Sequence, residues 1–259
     1  MAKRQTTRKA IDLLSPQGES YSHRVQRPLH CLVFVLPFLI AFELGVLWRH
    51  TVEPGRPLPS LVAWRVIGQF VELLGASGFY FPGLALVVIL LACHVVAKHR
   101  WSIEWPTLLG MLGESVVWAI PLCAFNTVVY QARTGGVEAR WIDDVILSLG
   151  AGIYEELVFR LIAITLLSIL FVDVLSLNKH VAIVIVIAAS ALLFSAHHHP
   201  PFGDEPFQTS RFFFRTVAGV YLAGIFVFRG FGIAAGTHAF YDIAIVTIAA
   251  IRSAEHSGL

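Results

Sequence analysis

Long apolar stretches broken by short polar ones set the elements of this chain. Leu29 to Trp48 is a run of about 20 residues, enough to cross the hydrocarbon core of a bilayer as a helix. Further runs cover Phe79–Val96, Leu108–Tyr130, about Asp143–Val172, Val181–His198, Phe212–Phe228 and Phe231–Ile251. Seven spans are therefore expected, within a range of six to eight. Leu61 to Leu74 differs: Arg65, Gln69 and Glu72 interrupt it at helical spacing, so it reads as an amphipathic helix lying at the interface. The Gly-Ala-Ser-Gly run at 75–78 ends it. Residues 131–144 form a polar loop in which Asp143 or Asp144 is placed to cap the next helix. Pro200 and Pro201 stop the span that ends near His198.

Composition agrees with this pattern. Of 259 residues, 56% are hydrophobic and 14% charged, against about 25% charged in soluble domains. The expected fold is all-α, a polytopic transmembrane bundle in the lipid bilayer: a basic tail at 1–28, then one transmembrane domain over 29–252. Lys3, Arg4, Arg8, Lys9, Arg24 and Arg27 read as a topology signal for a cytoplasmic N-terminus, an expectation that places Arg133, Arg140, Arg211 and Arg215 on or near the far side and so draws only weak support from charge. A net charge of +2 gives no footprint for nucleic acid. Cys31, Cys93 and Cys123 lie in separate spans and read as small apolar side chains. There is no internal repeat.

Ionisable residues inside spans are costly and mark function by default. Glu155, Glu156 and Arg160 sit within the run that starts near Asp143. Glu156 and Arg160 are i and i+4 with the acid first, the better order for a helical pair. Glu155 points about 100° away and has no partner in its own helix. Gly150 and Gly152 let a neighbouring helix approach. His197, His198 and His199 close one span; Phe194 and His198 share a face, which selects His198 over His197. In the last span His238 and Asp242 share a face. Acids and imidazoles on three helices suit proton transfer to and from water, or zinc with an open position. Zinc could be held by Glu156, His198, His238 and Asp242. Both versions end in attack of water on a carbonyl, most plausibly that of a peptide bond.

Geometry sets a condition. His198 lies about 26 Å along its span, whereas Glu155 is near mid-membrane. They meet only if the His198 helix ends below the surface and loop 199–210 lines a water-filled cavity. Glu114 and Asn126 are expected either to face that cavity or to bond across helices. Phe240 and Tyr241 read as packing, and Arg211 and Arg215 as headgroup anchors.

Glu155-Glu156-Leu-Val-Phe-Arg160 resembles the EExxxR motif of the CAAX-processing and Abi (CPBP) intramembrane proteases. Phe194–His198 is similar to their FxxxH motif and His238–Asp242 to HxxxN/D. The resemblance implies a catalytic core within 143–251, in a multi-pass protein of the bacterial-type plasma (inner) membrane. Its partner is a peptide or protein substrate in or at the membrane. It also implies roles: Glu155 as the base that activates water, assisted by His198; Glu156 and Arg160 ordering the site; His238 and residue 242 supporting the oxyanion. The prenyl-protein proteases of the family carry Asn at that last position. An ionised Asp242 only accepts hydrogen bonds, so it would have to be protonated, orient His238 or bind a metal. The family is described both as metal-dependent and as a metal-free glutamate protease. Two other classes compete. One is a non-catalytic immunity or scaffold protein, against which the complete set of candidate residues counts. The other is an ion transporter, against which the lack of an inverted repeat counts.

Overall fold

A computed structural model describes residues 20–52, 61–73, 75, 81–129 and 141–257. Among them all regular secondary structure is helical. The helices are α1 (Tyr21–Arg24), α2 (Pro28–Val52), α3 (Val62–Leu73), α4 (Phe81–Val96), α5 (Trp105–Val129), α6 (Trp141–Val174), α7 (Lys179–Ala196), α8 (Thr209–Arg229) and α9 (Phe231–Ser257). Six of them, α2 and α5 to α9, are long and apolar enough to cross a bilayer. The remaining expected span, α4, is a 16-residue apolar helix, about 24 Å long. The chain is an integral membrane protein.

The amphipathic stretch at 61–74 forms the 12-residue α3, too short to cross. Its Ala63 and Ile67 are buried while Phe70 and Leu73 are exposed. The turn expected at 76–78 and most of the polar loop at 131–144 lie outside the described residues.

Asp143 does not cap α6. That helix already starts at Trp141, which puts Asp143 in its first turn, where the carboxylate meets Arg49 Nε at 2.7 Å. The end of the basic tail is packed against the bundle. Tyr21 donates to Glu114 at 2.9 Å, Arg24 Nε to Thr107 at 3.0 Å and Gln26 to the Phe228 carbonyl at 2.9 Å. Residues 1–19 lie outside the described part.

α9 packs against α6, α5, α8 and α2 and forms the centre of the bundle. Lipid tails are as apolar as leucine, so helices here associate through close packing and polar contacts. Gly152 shows this best. A Cβ at Gly152 would lie 2.7 Å from both the Ala239 Cβ and the Ala239 amide nitrogen, and 2.8 Å from the Ala235 carbonyl oxygen. Two of those atoms are backbone, so α6 and α9 touch where no side chain fits. The contact sits one turn from Glu155 on one helix and beside His238 on the other.

Gly152→Ala should therefore push α6 from α9 and cost about 1–3 kcal/mol. Gly113→Ala, where a Cβ meets nothing within 4 Å, should cost nothing. Thermal unfolding in detergent checks this; equal midpoints for the two variants would contradict the close contact.

Candidate active site

The site is built on a helix that changes type at the acids. α6 is α-helical from Trp141 to Glu156 and widens to a π-helix over Leu157–Ile164. Wide turns of this kind recur at functional sites because they re-aim side chains. Glu156 and Arg160 still meet across the widened turn, with Arg160 Nε 3.1 Å from Glu156 Oε2 and both side chains fully buried. The Arg160 guanidinium lies 4.3 Å over the Phe194 ring of α7, and its Nη2 donates to the Gly219 carbonyl of α8 at 3.4 Å. The other carboxylate oxygen, Glu156 Oε1, accepts from His238 Nδ1 of α9 at 2.8 Å. A buried charge persists only when paired and further satisfied. Here that condition ties four helices together.

Glu155 faces the other way, as its rotation about the helix requires. Its Oε1 lies 3.4 Å from His197 Nε2 and 3.9 Å from His198 Nε2, and its Oε2 lies 3.8 Å from His238 Nε2. Both neighbouring rings turn Nδ1 to the Phe194 carbonyl, at 2.5 Å for His197 and 3.0 Å for His198. A carbonyl only accepts, so each Nδ1 carries a proton, and each Nε2 is turned toward Glu155. His238 has a carboxylate at each nitrogen: Glu156 at Nδ1, and Asp242 at 3.4 Å from Nε2. His198 and Asp242 are the more open members, with side chains 18% and 27% exposed, against 7% for Glu155.

Glu155, Glu156, Arg160, His198, His238 and Asp242 thus lie in one connected cluster. The distance condition is met because α7 ends at Ala196 and the chain turns at once. His197 is the residue the helical-wheel reading passed over. That reading carried 3.6-residue spacing one turn too far; where the helix has stopped, two successive histidines face the same carboxylate. Their ring centroids are 3.9 Å apart, and His197 lies 4.6 Å from the Phe159 ring. Pro200-Pro201 is the signal that could have found it, since helices end before proline. His199 turns instead into the loop, with Nδ1 bonded to the Glu205 carbonyl at 3.0 Å.

The loop after the histidines is held against them. The Glu205 amide donates to the His198 carbonyl at 3.1 Å, and Arg65 of α3 donates to the Phe202 carbonyl at 3.0 Å. The Glu205 carboxylate accepts from Arg215 at 2.8 and 3.0 Å and from Arg211 at 3.1 Å. Burial pushes this carboxyl up, but the Arg215 guanidinium, with Arg211 behind it, outweighs burial and holds it below the ordinary range. Arg211 and Arg215, expected as headgroup anchors, thus serve the loop. Glu114 and Asn126 bond across helices: Arg229 binds Glu114 at 2.5 and 2.7 Å, and Asn126 donates to the Tyr241 hydroxyl at 2.8 Å.

The expected zinc donors, Glu156, His198, His238 and Asp242, do not form the tight group. Glu156 is taken up by Arg160 and the His238 Nδ1. Among the described residues the set whose ligand atoms all lie within 4.8 Å of one another is Glu155, His197 and His198. Two imidazoles and a carboxylate are a donor set used by catalytic zinc, with a fourth position left for water. The Nδ1 bonds to Phe194 orient both rings as outer partners of metal ligands do.

Residues 138–244 match the profile of the family described as "Rce1-like: Type II CAAX prenyl endopeptidase Rce1-like". All the residues of the cluster fall inside that range. No curated protein and no solved structure matches the chain. Motifs, bundle and profile agree: residues 138–244 of this membrane protein are similar to the Rce1-like family of type II CAAX prenyl endopeptidases.

Proposed function

We propose that the chain hydrolyses peptide bonds of a substrate in or at the membrane, with Glu155 as the base that activates water. The observation that carries this reading is one buried carboxylate faced by three imidazoles, at 3.4, 3.9 and 3.8 Å. With His197 and His198 in their neutral form, the carboxylate oxygens and the two Nε2 lone pairs are all acceptors. Acceptors this close suit a shared donor, and a water molecule supplies two hydrogens to such a cluster. Glu155 takes one proton as the water oxygen attacks the carbonyl carbon. The carbonyl π electrons move to oxygen, and the oxyanion is stabilised by a donor already in place. His238, with acids at both nitrogens, suits that electrostatic part. When the C–N bond breaks, the proton on Glu155 passes to the leaving amine, directly or through His198, and the carboxylate is restored. Asp242 orients His238 in the resting site, a task for which its lack of a donor is no handicap, and the His238 Nε2–H turns from Asp242 to the oxyanion as charge develops there. Glu156 and Arg160 position His238 and do not touch the substrate.

The Glu155, His197 and His198 donor set supports a second reading. Zinc, when bound, would polarise the water and the substrate carbonyl. The three side chains would then serve as ligands, and the base would be a neighbouring group.

Glu155→Gln should lower peptide hydrolysis by about 10²–10⁴-fold at an unchanged unfolding midpoint, and His197→Ala should also lower it strongly. His199→Ala, whose ring faces the loop, should have far less effect. Rates with a membrane-delivered peptide check this; an active Glu155→Gln enzyme removes the proposed base. Zinc analysis separates the two readings. The second expects about one zinc per chain, bound by two imidazoles and a carboxylate, and activity that falls on chelation. Full activity in metal-free protein rules the second out.

A further inference from the structure

The first span brings a carboxyl group to the turn that carries Glu155. Tyr154, one residue before Glu155, is fully buried, and its hydroxyl donates to Glu43 Oε1 of α2 at 2.8 Å. The other oxygen, Glu43 Oε2, is buried and has no hydrogen-bond partner among the described residues. A carboxyl group at such depth is expensive to keep and calls for a reason. Glu43 stands outside residues 138–244, the stretch that matches the family.

The bundle is shaped around this contact. α2 and α6 run antiparallel, with Arg49 at Asp143, Gly45 against Ile146 and Phe42 against Gly150. Phe42 also meets the Tyr154 ring edge-on, with centroids 5.5 Å apart. α4 closes the third side with a residue that has no side chain. A Cβ at Gly83 would lie 2.9 Å from Glu43 Oε1 and 3.4 Å from the Tyr154 hydroxyl oxygen. Three helices thus enclose one hydrogen bond.

Its place on α6 says what the bond does. The Arg49–Asp143 pair holds the start of α6, about 18 Å from Glu155 along the axis. Gly152 lets α6 approach α9 but makes no polar tie. The residues on either side of Glu155 do. Tyr154 is bonded to α2 and Glu156 to His238 of α9, and past Glu156 the helix widens to the π form. Glu155 is therefore set between two polar anchors that face different helices. A helix with its side chains has a radius of about 5–6 Å, so a rotation of about 10° moves the Glu155 carboxylate by about 1 Å. A misplacement of about 1 Å can cost about 10²-fold in rate.

We propose that Glu43 is a positioning residue of the hydrolase, acting through the Tyr154 hydroxyl to hold Glu155 within reach of the histidines. The statement rests on the hydrolase reading of Glu155. The Tyr154 hydroxyl needs an acceptor and not a charge, so an amide oxygen at position 43 serves and a hydrocarbon side chain does not.

The test compares full-length Glu43→Leu, Tyr154→Phe, their double variant and Glu43→Gln on the membrane-delivered peptide. Glu43→Leu and Tyr154→Phe should each lower kcat about 10–10²-fold at an unchanged KM. The double variant should fall no further than either single change, because both remove the same hydrogen bond. Glu43→Gln should recover most of the loss seen with Glu43→Leu. Wild-type kcat in both single variants overturns the proposal, even if their unfolding midpoints drop. So does a double variant that falls by the product of the two, or a Glu43→Gln chain as slow as Glu43→Leu. Should Glu43→Leu fail to fold, Tyr154→Phe, which removes one oxygen atom, carries the same test. A second readout needs no turnover. The carboxyl infrared band of Glu155, identified as the band lost in Glu155→Gln, should shift in Tyr154→Phe and Glu43→Leu and return in Glu43→Gln. A band that stays in place in Tyr154→Phe overturns the positioning role. A wild-type chain that cuts no peptide while the band shifts as expected would sink the hydrolase reading alone.

Discussion

Charge in a low-dielectric interior has to be matched where it stands, and that constraint organises this bundle. Glu156 and Arg160 are fully buried. An unmatched ion at that depth would cost several kcal/mol. The match is reached only if α7 brings the face of Phe194, α8 the carbonyl of Gly219 and α9 the ring of His238. The helices that satisfy the ion pair are thus the helices that build the site. The same arrangement leaves Glu155 with no counter-ion in its own helix and places it among the rings of His197, His198 and His238. Structural and chemical duties are divided between adjacent residues by a rotation of about 100°.

Support for the histidines comes from the loop that follows them. A helix that ends within a bundle exposes backbone that must find partners. The Phe194 carbonyl takes both Nδ1 protons, and the His198 carbonyl takes the Glu205 amide. Glu205 is in turn gripped by two arginines of α8. Gly203 belongs to the same device, since a Cβ there would run into the backbone of His197 and His198. The close approach at Gly152 does for α6 and α9 what the loop does for α7: it brings polar side chains within reach across a line where a larger residue would hold them apart.

Much of this is written in hydrophobic spacing and motif order. The long spans, the short amphipathic helix at α3 and the pairing of Glu156 with Arg160 follow from period and i, i+4 geometry. What escaped that reading depends on where helical regularity stops. His197 joins the cluster because α7 ends at Ala196, a boundary that a wheel drawn through His198 overruns. The π-helical widening after Glu156 leaves no mark in apolar periodicity. Asp143 reads as a cap in isolation; its partner Arg49 is far away in sequence, and only the folded bundle brings them together. The basic tail looks like a topology signal, yet Tyr21 and Ser22 meet Glu114 and Arg229 through contacts no local pattern announces.

The central claim is that Glu155 and the imidazoles around it share one solvent molecule or ion. An experimental structure at a resolution that orders solvent tests it most directly. The account predicts a single water or cation within about 3 Å of a Glu155 oxygen and of His197 or His198 Nε2. A Glu155 carboxylate rotated away from the histidines, with no density between them, would contradict it.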